Sequence, residues 1–379
     1  MENLLQLAKR KYQKHLDRRA HKELETPEIR SIPEELRCEE APSVPLIFGV
    51  IGAGKVFDRW MRDMLCIPKD LKISVKGIYD GSAELMRKKA EAYRIPICYD
   101  SFASMLSDPE IGAVYVATPN YLHASHAIQA LEAGKHVLCE KPIAMNCAEL
   151  ERMYQAAEAH GVFLMEGMWM RTVPLMRTVL QVLAEGTVGE VRYLHADCCN
   201  NDSPAAYPAL FSREKGGGAL MDVGCYALHL AHSVFAGQPE LSSAAKLTES
   251  GVDLTSAAVL RFPAGLTVLA QSLGCVGGAQ AEIRGTKGRI VISRYLDSPS
   301  EFTVIAANGK RTVFRYLTPR EKRPIGYAYE ILAFADAVRS GRLSCELVPA
   351  EITKTVAKEM EQIRRDCGVS FAGDRYDAD

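Results

Sequence analysis

The stretch from Val137 to Pro142 places two opposite charges at the end of an apolar run. Val137, Leu138 and Cys139 are followed by Glu140, Lys141 and Pro142. This pattern predicts a buried strand of a parallel sheet that ends in charged side chains. Ligands of open α/β sheets bind beyond the carboxyl ends of the strands, so a partly desolvated lysine beside a carboxylate can hold a substrate hydroxyl and tune its proton. The alternative is a surface lysine that closes a strand.

A glycine-rich turn earlier in the chain predicts a phosphate-binding loop. The apolar strand 46–51 leads into Gly-Ala-Gly, after which a helix is expected. The glycines permit a tight turn and close approach of the backbone to a diphosphate, which the amides at the helix N-terminus stabilise. Phe57 stands where the dinucleotide fingerprint has a third Gly or Ala, and we expect it to displace the helix. The expected cofactor-binding residues here are Gly52, Gly54, Lys55 and Val56.

Asp80 follows a second predicted strand, 73–79. An acid at this position can bind the adenosine ribose hydroxyls, and its charge repels a 2′-phosphate. No arginine follows it directly, so NAD is favoured over NADP, although Arg87 and Lys88 could still reach a phosphate. The alternative for Asp80 is an N-cap of the helix expected over 83–93.

Strands and helices alternate over the first half of the chain. Further strands are expected at 113–117 and 161–165, with helices to Ala133 and over 149–160. This alternation predicts an α/β fold, a doubly wound parallel sheet with right-handed crossovers. Later strands at 255–262, 266–272 and 288–293 predict a second sheet, the first two joined by a Pro-Ala-Gly turn.

Length and composition set limits on the function. A chain of 379 residues is long enough for two domains, and a formal net charge of −1 gives no field for nucleic acid or an anionic membrane. No apolar run is long enough to span a bilayer and no signal peptide is indicated, so a cytoplasmic protein with a small-molecule partner is expected. Eleven cysteines occur without any C-x-x-C, which predicts reduced, mostly buried thiols, and no metal motif is found.

Residues 1–44 are expected to form an appended N-terminal arm. Leu4, Leu5, Ala8, Tyr12 and Leu16 recur at helical spacing, and three prolines then break the chain before residue 46. The arm is either a frayed terminal helix or a segment that grips a partner subunit. The domains that we predict are this arm, a dinucleotide-binding Rossmann domain at 45–165, and a substrate-binding and oligomerisation domain at 166–379.

Two paired motifs carry a resemblance to a known family. The chain contains Ala117-Thr118-Pro119-Asn120-x-x-His123 together with Glu140-Lys141-Pro142. With these motifs it resembles the glucose-fructose oxidoreductase / inositol dehydrogenase (Gfo/Idh/MocA) family from about residue 45 to 373, nearest the dimeric dihydrodiol dehydrogenase-like branch. The stretches 166–171, 186–191, 216–224 and 283–288 also match.

The resemblance implies a fold and an activity. It implies a Rossmann domain followed by an α+β domain with a large, open, mostly antiparallel sheet, through which homodimers or homotetramers form. It further implies NAD(P)-dependent hydride transfer between nicotinamide and a secondary alcohol or ketone of a sugar, cyclitol or dihydrodiol. The side chains that determine substrate specificity are expected around 200–211. The sequence does not identify the substrate itself.

The resemblance also assigns roles to residues. Lys141 matches the lysine that orients the reacting hydroxyl, Asp222 an aspartate beside the substrate, and Tyr226 the proton acceptor. On a helix, Asp222, Tyr226 and His229 fall at i, i+4 and i+7, so all three face the same way and could converge on one bound hydroxyl. The alternative for His229 is a structural histidine with its hydrogen bonds satisfied on that helix. A tyrosine with a pKa of ~10 needs a nearby cation to act as a base, which Lys141 can supply. The remaining residues implied at the cofactor are Thr118, Asn120, His123, Glu140, Lys141, Trp169 and Arg171, and Pro142 matches a position that is often cis.

Two other functions use the same resemblance. One is an NAD-retaining glycoside hydrolase that oxidises its substrate transiently, and the other is a non-enzymatic dinucleotide or sugar sensor. A sensor would not need to keep Lys141 and Tyr226 together, so the intact pair argues against it.

Overall fold

A computed structural model describes residues 27–31 and 44–374. The first described strand, β1 (Glu28–Ser31), belongs to a large sheet formed mainly by the second half of the chain. The next six strands form a separate parallel sheet in the order β4-β3-β2-β5-β6-β7. Their bounds are β2 (Leu46–Ile51), β3 (Ile73–Tyr79), β4 (Ile97–Cys98), β5 (Ala113–Val116), β6 (His136–Glu140) and β7 (Leu164–Gly167).

Five helices connect the strands of this parallel sheet: α1 (Lys55–Met64), α2 (Ala83–Tyr93), α3 (Phe102–Leu106), α4 (Asn120–Glu132) and α5 (Cys147–His160). The strand β5 is buried along its whole length, as expected for a sheet covered on both faces. The predicted Rossmann-type fold is therefore confirmed. Helix α1 runs unbroken through Phe57, whose side chain is fully buried and packs edge-on against Tyr93 with ring centroids 5.5 Å apart. Displacement of the helix by Phe57 stays a prediction.

The second sheet has nine strands in the order β1-β15-β14-β13-β12-β8-β11-β10-β9. All neighbours are antiparallel except the parallel pairs β1·β15 and β8·β11, so the predicted mostly antiparallel sheet is also confirmed. The later strands are β8 (Val191–Asn201), β9 (Glu240–Leu247), β10 (Asp253–Arg261), β11 (Leu266–Ser272), β12 (Gly274–Gly285), β13 (Gly288–Ile292), β14 (Glu301–Ala306) and β15 (Arg311–Arg315).

Helices cover one face of the nine-stranded sheet. They include α6 (Pro174–Ala184), α7 (Cys225–Val234) and α9 (Ala350–Asp366), while α8 (Tyr327–Arg339) packs on α1 of the first sheet. Along β10, Ser256, Ala258 and Leu260 are buried while Ala257 and Val259 are exposed. This alternation shows that the opposite face of the sheet is open.

Two features depart from the sequence predictions. The arm contributes β1 as an edge strand, which no pattern in the sequence indicated, and the helical spacing predicted near the N-terminus lies outside the described residues. Strand β7 extends to Gly167, past the predicted domain boundary at 165, and includes Glu166. The division into three domains stays a prediction.

In the part of the chain that the structure describes, every helix is too short or too polar to span a bilayer. Residues 27–31 and 44–374 also contain no group of three His, Cys, Asp or Glu side chains placed to hold a metal ion. The ten cysteines that fall within these ranges are free thiols, of which Cys66 and Cys275 are exposed.

Asp63 joins the two halves of the molecule. Its fully buried carboxylate, on α1, accepts backbone hydrogen bonds from Ile325 and Gly326 at 2.9 Å and from Ala328 at 3.3 Å. These amides lie at the N-terminus of α8, which has no side-chain cap of its own. Burial raises the pKa of Asp63, and the three amides oppose that shift. The carboxylate therefore acts as a helix cap supplied from another helix.

Replacing Asp63 with alanine is expected to lower the free energy of unfolding by about 1–2 kcal/mol, because the capped amides lose their acceptor. Chemical denaturation of the whole chain measures this change. Asp70→Ala is the matched control, since Asp70 is exposed and lies just beyond the same helix. Equal stability of the two variants would show that the cap contributes nothing.

Candidate active site

The loop between β2 and α1 has room for a diphosphate. Gly52 has φ +99°, and a Cβ there would lie 2.5 Å from the carbonyl oxygen of Ala117, so only glycine fits the turn. A Cβ at Gly54 would meet nothing within 4 Å, and α1 starts there without a side-chain cap. Open space over uncapped helix amides is the arrangement that binds a phosphate group. The predicted cofactor loop therefore fits a dinucleotide.

Asp80, which follows β3, accepts a hydrogen bond from this loop. Its Oδ2 accepts a hydrogen bond from the amide of Ala53 at 2.8 Å, and its Oδ1 accepts one from the amide of Ser82 at 2.8 Å. The N-cap of α2 is Ser82, whose hydroxyl accepts from the amide of Leu85. The alternative interpretation of Asp80 as the N-cap is therefore wrong, and its carboxylate lies beside the glycine loop.

Two residues that follow β5, His123 and Asn120, contact backbone carbonyl groups of neighbouring loops. His123 is buried, with Nε2 2.7 Å from the carbonyl oxygen of Thr118 and Nδ1 2.9 Å from that of Pro142. Burial lowers the pKa of His123, so it is a neutral imidazole that donates to one of these carbonyls. Asn120 donates to the carbonyl oxygen of Gly216 at 3.0 Å. Of the predicted cofactor residues, these two thus connect the first sheet to neighbouring loops.

The charged pair ends β6 as predicted. Glu140 is 3% exposed and accepts hydrogen bonds from the hydroxyl of Tyr115 at 2.6 Å and from the amide of Lys141 at 3.2 Å. Burial raises the pKa of Glu140. The bond between Lys141 and Pro142 is cis, in agreement with the resemblance.

Lys141 reaches across to the second half of the chain. Its Nζ donates to the carbonyl oxygen of Asp222 at 2.6 Å and lies 3.1 Å from Oδ1 of the same residue. Burial alone would lower the pKa of Lys141, but the negative charges of Asp222 and Glu140 outweigh it and hold the pKa above its ordinary value. Lys141 is therefore a firmly protonated ammonium at the mouth of the parallel sheet.

The predicted single helix through Asp222, Tyr226 and His229 is only partly correct. Residues Leu220–Gly224 form a π-helical turn and α7 begins at Cys225, so the α-helical spacing does not apply across Asp222. His229 is fully buried, and its Nε2 lies 3.2 Å from Oε2 of Glu166 without a directed hydrogen bond. The contact that the structure gives His229 is thus with Glu166 in the interior.

Tyr226 lies between Lys141 and Trp169. Nε1 of Trp169 donates to the Tyr226 hydroxyl at 2.7 Å, and Nζ of Lys141 is 5.0 Å from the centroid of the tyrosine ring. Burial, followed by the negative charge of Asp297, raises the pKa of Tyr226 well above its ordinary value. This direction is opposite to the one expected if Lys141 stabilised a Tyr226 phenolate, and the role of Tyr226 as proton acceptor stays a prediction. Asp297 belongs to no motif, and sequence reasoning missed it.

Two predicted cofactor residues are held by other parts of the chain. Arg171 donates to the carbonyl oxygen of Leu347 and to the hydroxyl of Ser233, both at 2.7 Å. Trp169 stacks on Tyr327 with ring centroids 4.7 Å apart and an interplanar angle of 6°. Arg171 thus anchors the segment after β7, while Trp169 positions the Tyr226 hydroxyl.

The loop after β8 reaches the glycine loop. Nζ of Lys55 donates to the carbonyl oxygen of Ala206 at 3.2 Å and lies 3.7 Å from the centroid of the Tyr207 ring. This loop falls within the stretch in which specificity was predicted. No pattern in the sequence indicated a contact between this loop and Lys55, because the two residues of each contact are about 150 positions apart.

The fold of the chain agrees with comparisons to known proteins. Residues 46–168 match the model of an oxidoreductase family with an NAD-binding Rossmann fold, and residues 176–291 match the C-terminal domain model of the same Gfo/Idh/MocA family. The trans-1,2-dihydrobenzene-1,2-diol dehydrogenase of Macaca fuscata fuscata is 30% identical over 342 residues, which cover 87% of this chain and 99% of that protein. The human enzyme of the same name is 29% identical over 341 residues, with the same coverage.

Two solved structures have the same fold. The 3-ketoreductase KijD10 of Actinomadura kijaniata, in complex with NADP and TDP-benzene, has a TM-score of 0.76 and 26% identity and covers 86% of this chain and 98% of its own. A levoglucosan dehydrogenase in complex with NADH and levoglucosan has a TM-score of 0.75, 22% identity and the same coverage. Because a neighbour with NADP is among them, the expectation that NADP is the less suitable cofactor is not supported. The chain belongs to the Gfo/Idh/MocA family of oxidoreductases, whose N-terminal domain is an NAD(P)-binding Rossmann fold.

Proposed function

We propose that this chain transfers a hydride between a nicotinamide dinucleotide and a secondary alcohol or ketone of a sugar, cyclitol or dihydrodiol. The observation that carries the proposal is the half-buried ammonium of Lys141, which lies 3.1 Å from Oδ1 of Asp222 and 5.0 Å from the centroid of the Tyr226 ring at the end of β6. The relatives named as dihydrodiol dehydrogenases and the neighbour named as a 3-ketoreductase support this substrate class.

Each residue of the cluster has a distinct part in the proposed reaction. Lys141 binds the oxygen of the reacting alcohol or ketone, because an ammonium stabilises the negative charge that develops there. Asp222 fixes the ammonium, and Tyr226 exchanges the proton of the hydroxyl. The bound nicotinamide would supply or accept the hydride. Since the raised pKa keeps Tyr226 protonated, the proton donor for ketone reduction is already in place.

The assay that tests the proposal follows reduced-nicotinamide absorbance with aldoses, cyclitols and dihydrodiols, in both directions and with either dinucleotide. Steady turnover with one of these classes is the expected result. Dinucleotide binding without turnover would instead favour a sensor or a hydrolase with retained NAD, and chromogenic glycosides would separate those two.

We propose that Asp80 takes part in the choice between NAD and NADP. Its carboxylate is placed beside the glycine loop by the bond to Ala53, where it can accept hydrogen bonds from ribose hydroxyls. The Asp80→Ser variant is expected to raise kcat/KM for NADP relative to NAD by at least about tenfold, because the charge that repels a 2′-phosphate is lost. Steady-state kinetics with both dinucleotides measures the ratio.

A matched control is available for this change. Asp58→Ser removes another partly buried acid of the same half, one that pairs with Lys89 instead of the glycine loop. An unchanged ratio in Asp80→Ser would show that the cofactor preference is set elsewhere.

We further propose a cytoplasmic homodimer or homotetramer assembled through the open face of the nine-stranded sheet. Apolar side chains are exposed on that face, among them Val259 at 40% and Leu266 at 36%. A broad sheet face of this kind is protected when a second copy packs on it. Light scattering after gel filtration measures the assembly, and a monomer at micromolar concentration would contradict it.

A further inference from the structure

The segment that follows β8 is attached to the first sheet at two places. It comprises residues 202–217, here called the strap, and its tip contacts Lys55, the first residue of α1. Near the other end of the strap, the carbonyl oxygen of Gly216 accepts a hydrogen bond at 3.0 Å from the side chain of Asn120, the first residue of α4. The strap therefore joins the helix that follows β2 to the helix that follows β5.

The two attachments lie on either side of the topological switch point of the parallel sheet. In the order β4-β3-β2-β5-β6-β7, β2 and β5 are neighbours, and the chain winds outward from them in opposite directions. Ligands of open α/β sheets bind in the crevice outside the carboxyl ends of the strands at such a point. The strap thus crosses the crevice to which the fold assigns the dinucleotide.

The base of the strap is tightly packed, whereas its tip lies at the surface. Gly216 is buried, and a Cβ built on it would lie 2.4 Å from Sδ of Met145. The amide of Gly218, just past the strap, donates to the carbonyl oxygen of Leu210 at 2.8 Å. Tyr207 at the tip is 37% exposed. The tip is therefore the part of the strap that can move aside for a ligand.

We propose that the strap is the outer wall of the dinucleotide site, and that Lys55 and Tyr207 form a latch that holds it across the crevice. The inference rests on the proposed function, since it takes a nicotinamide dinucleotide as the ligand. It deepens that function, because it gives the tip of the 200–211 stretch a role toward the cofactor in addition to the predicted role in substrate specificity.

The latch combines two weak attractions. Nζ of Lys55 donates to the carbonyl oxygen of Ala206 at 3.2 Å and lies 3.7 Å from the centroid of the Tyr207 ring, whose face attracts a cation. Both side chains are exposed, so the latch slows passage of the dinucleotide by only about threefold to tenfold. Because the latch joins two parts of the chain and includes no atom of the ligand, breaking it speeds entry and release alike.

Stopped-flow fluorescence of the reduced dinucleotide, NADH or NADPH, with the full chain tests the latch. Mixing gives the association rate constant, and displacement by an excess of the oxidised form gives the release rate constant. Tyr207→Leu is expected to raise both by about threefold to tenfold, while the dissociation constant changes far less. A rise in the release rate constant alone would overturn the proposal, because it would show that Tyr207 contacts the ligand directly.

A double-variant cycle makes the test specific to the latch. Tyr207→Leu should have no further effect in a Lys55→Met background, because the cation that the ring attracts is already gone. Equal effects in the two backgrounds would overturn the proposal. Tyr193→Leu is the matched control, and it should keep both rate constants. Tyr193 also lies beside a cation, with its ring centroid 5.3 Å from Cζ of Arg284, but near the opposite end of β8 from the strap.

The same experiment separates failure of the latch from failure of the proposed function. A dinucleotide that binds and leaves Tyr207→Leu at the rates of the unmodified protein overturns the latch and leaves the proposed reaction standing. A chain that binds neither NADH nor NADPH contradicts both. The expected change in both rate constants supports the latch even where no substrate of the panel is turned over, because it is measured by binding and not by activity.

Discussion

Replacing Lys141 with methionine is expected to lower kcat by about 10²- to 10⁴-fold, the range that a positioned acid–base group contributes. The ammonium is half-buried and lies 3.1 Å from Oδ1 of Asp222, so the substitution removes the positive charge at this point of the site. Methionine keeps much of the length and apolar volume of the side chain while removing the charge. Reduced-nicotinamide absorbance under saturating cofactor measures the loss, with the substrate that the panel identifies.

Lys135→Met is the matched control for this variant. Lys135 is also a poorly exposed lysine of the parallel-sheet half, 9% exposed, but its Nζ donates to the carbonyl oxygen of Asp108, away from the site. The control should keep its kcat. Fluorescence titration of the dinucleotide with Lys141→Met separates catalysis from binding, since we expect kcat to fall by far more than the dissociation constant rises. A Lys141→Met enzyme that turns over like the control would remove Lys141 from the mechanism.

The elements of the parallel sheet could be predicted because their signals are local. The apolar run at 46–51, preceded by Pro45 and followed by Gly52, has the limits that the structure gives β2, and the strand 73–79 was likewise predicted at its observed bounds. Buried parallel strands are apolar along their whole length, which makes them visible in sequence. Glu140 and Lys141 were found for the same reason, since they end such a strand.

The features that could not be predicted from the sequence depend on contacts between residues that lie far apart in the chain. The π-helical turn at Leu220–Gly224 changes the direction of Asp222 without any glycine or proline signal peculiar to π-helices. The bond from Trp169 to Tyr226 joins residues 57 positions apart, and β1 pairs with a strand near the other end of the chain. Side-chain pairing at this range is set by the packing of elements and leaves no periodicity.

The electrostatic environment of Tyr226 was misjudged for a related reason. A nearby ammonium was expected to lower the pKa of the phenol, and Lys141 does lie 5.0 Å from the ring. However, the ammonium is directed at Asp222, and burial together with Asp297 decides the direction of the shift. A nearby lysine therefore does not by itself lower the pKa of a tyrosine, because the burial of each group and its charged partners also shift that pKa.

The Tyr226→Phe variant is expected to lower kcat for ketone reduction by about 10²- to 10⁴-fold, because it removes the proposed proton donor. The raised pKa fixes the sign of the pH dependence. In the unmodified protein the phenol stays protonated through neutral pH, so the reduction rate should be flat there and fall only as the pH rises beyond the ordinary range of tyrosine. Alcohol oxidation should respond in the opposite sense and rise with pH. Stopped-flow measurement of the hydride-transfer step across the pH range records both limbs.

Tyr99→Phe is the control, since Tyr99 is a buried tyrosine whose pKa is also raised, to about 12, but its hydroxyl bonds to Asp108 outside the site. Loss of the Tyr226 hydroxyl also leaves Nε1 of Trp169 without its acceptor, which costs about 1–3 kcal/mol of stability when buried, so thermal melts of both variants accompany the kinetics. If Tyr226→Phe lowers kcat and its rate no longer changes with pH in the alkaline range, the transferred proton is assigned to Tyr226. If kcat falls but the rate still changes with pH in the alkaline range, the hydroxyl only positions Trp169, and another group supplies the proton to the oxygen held by Lys141.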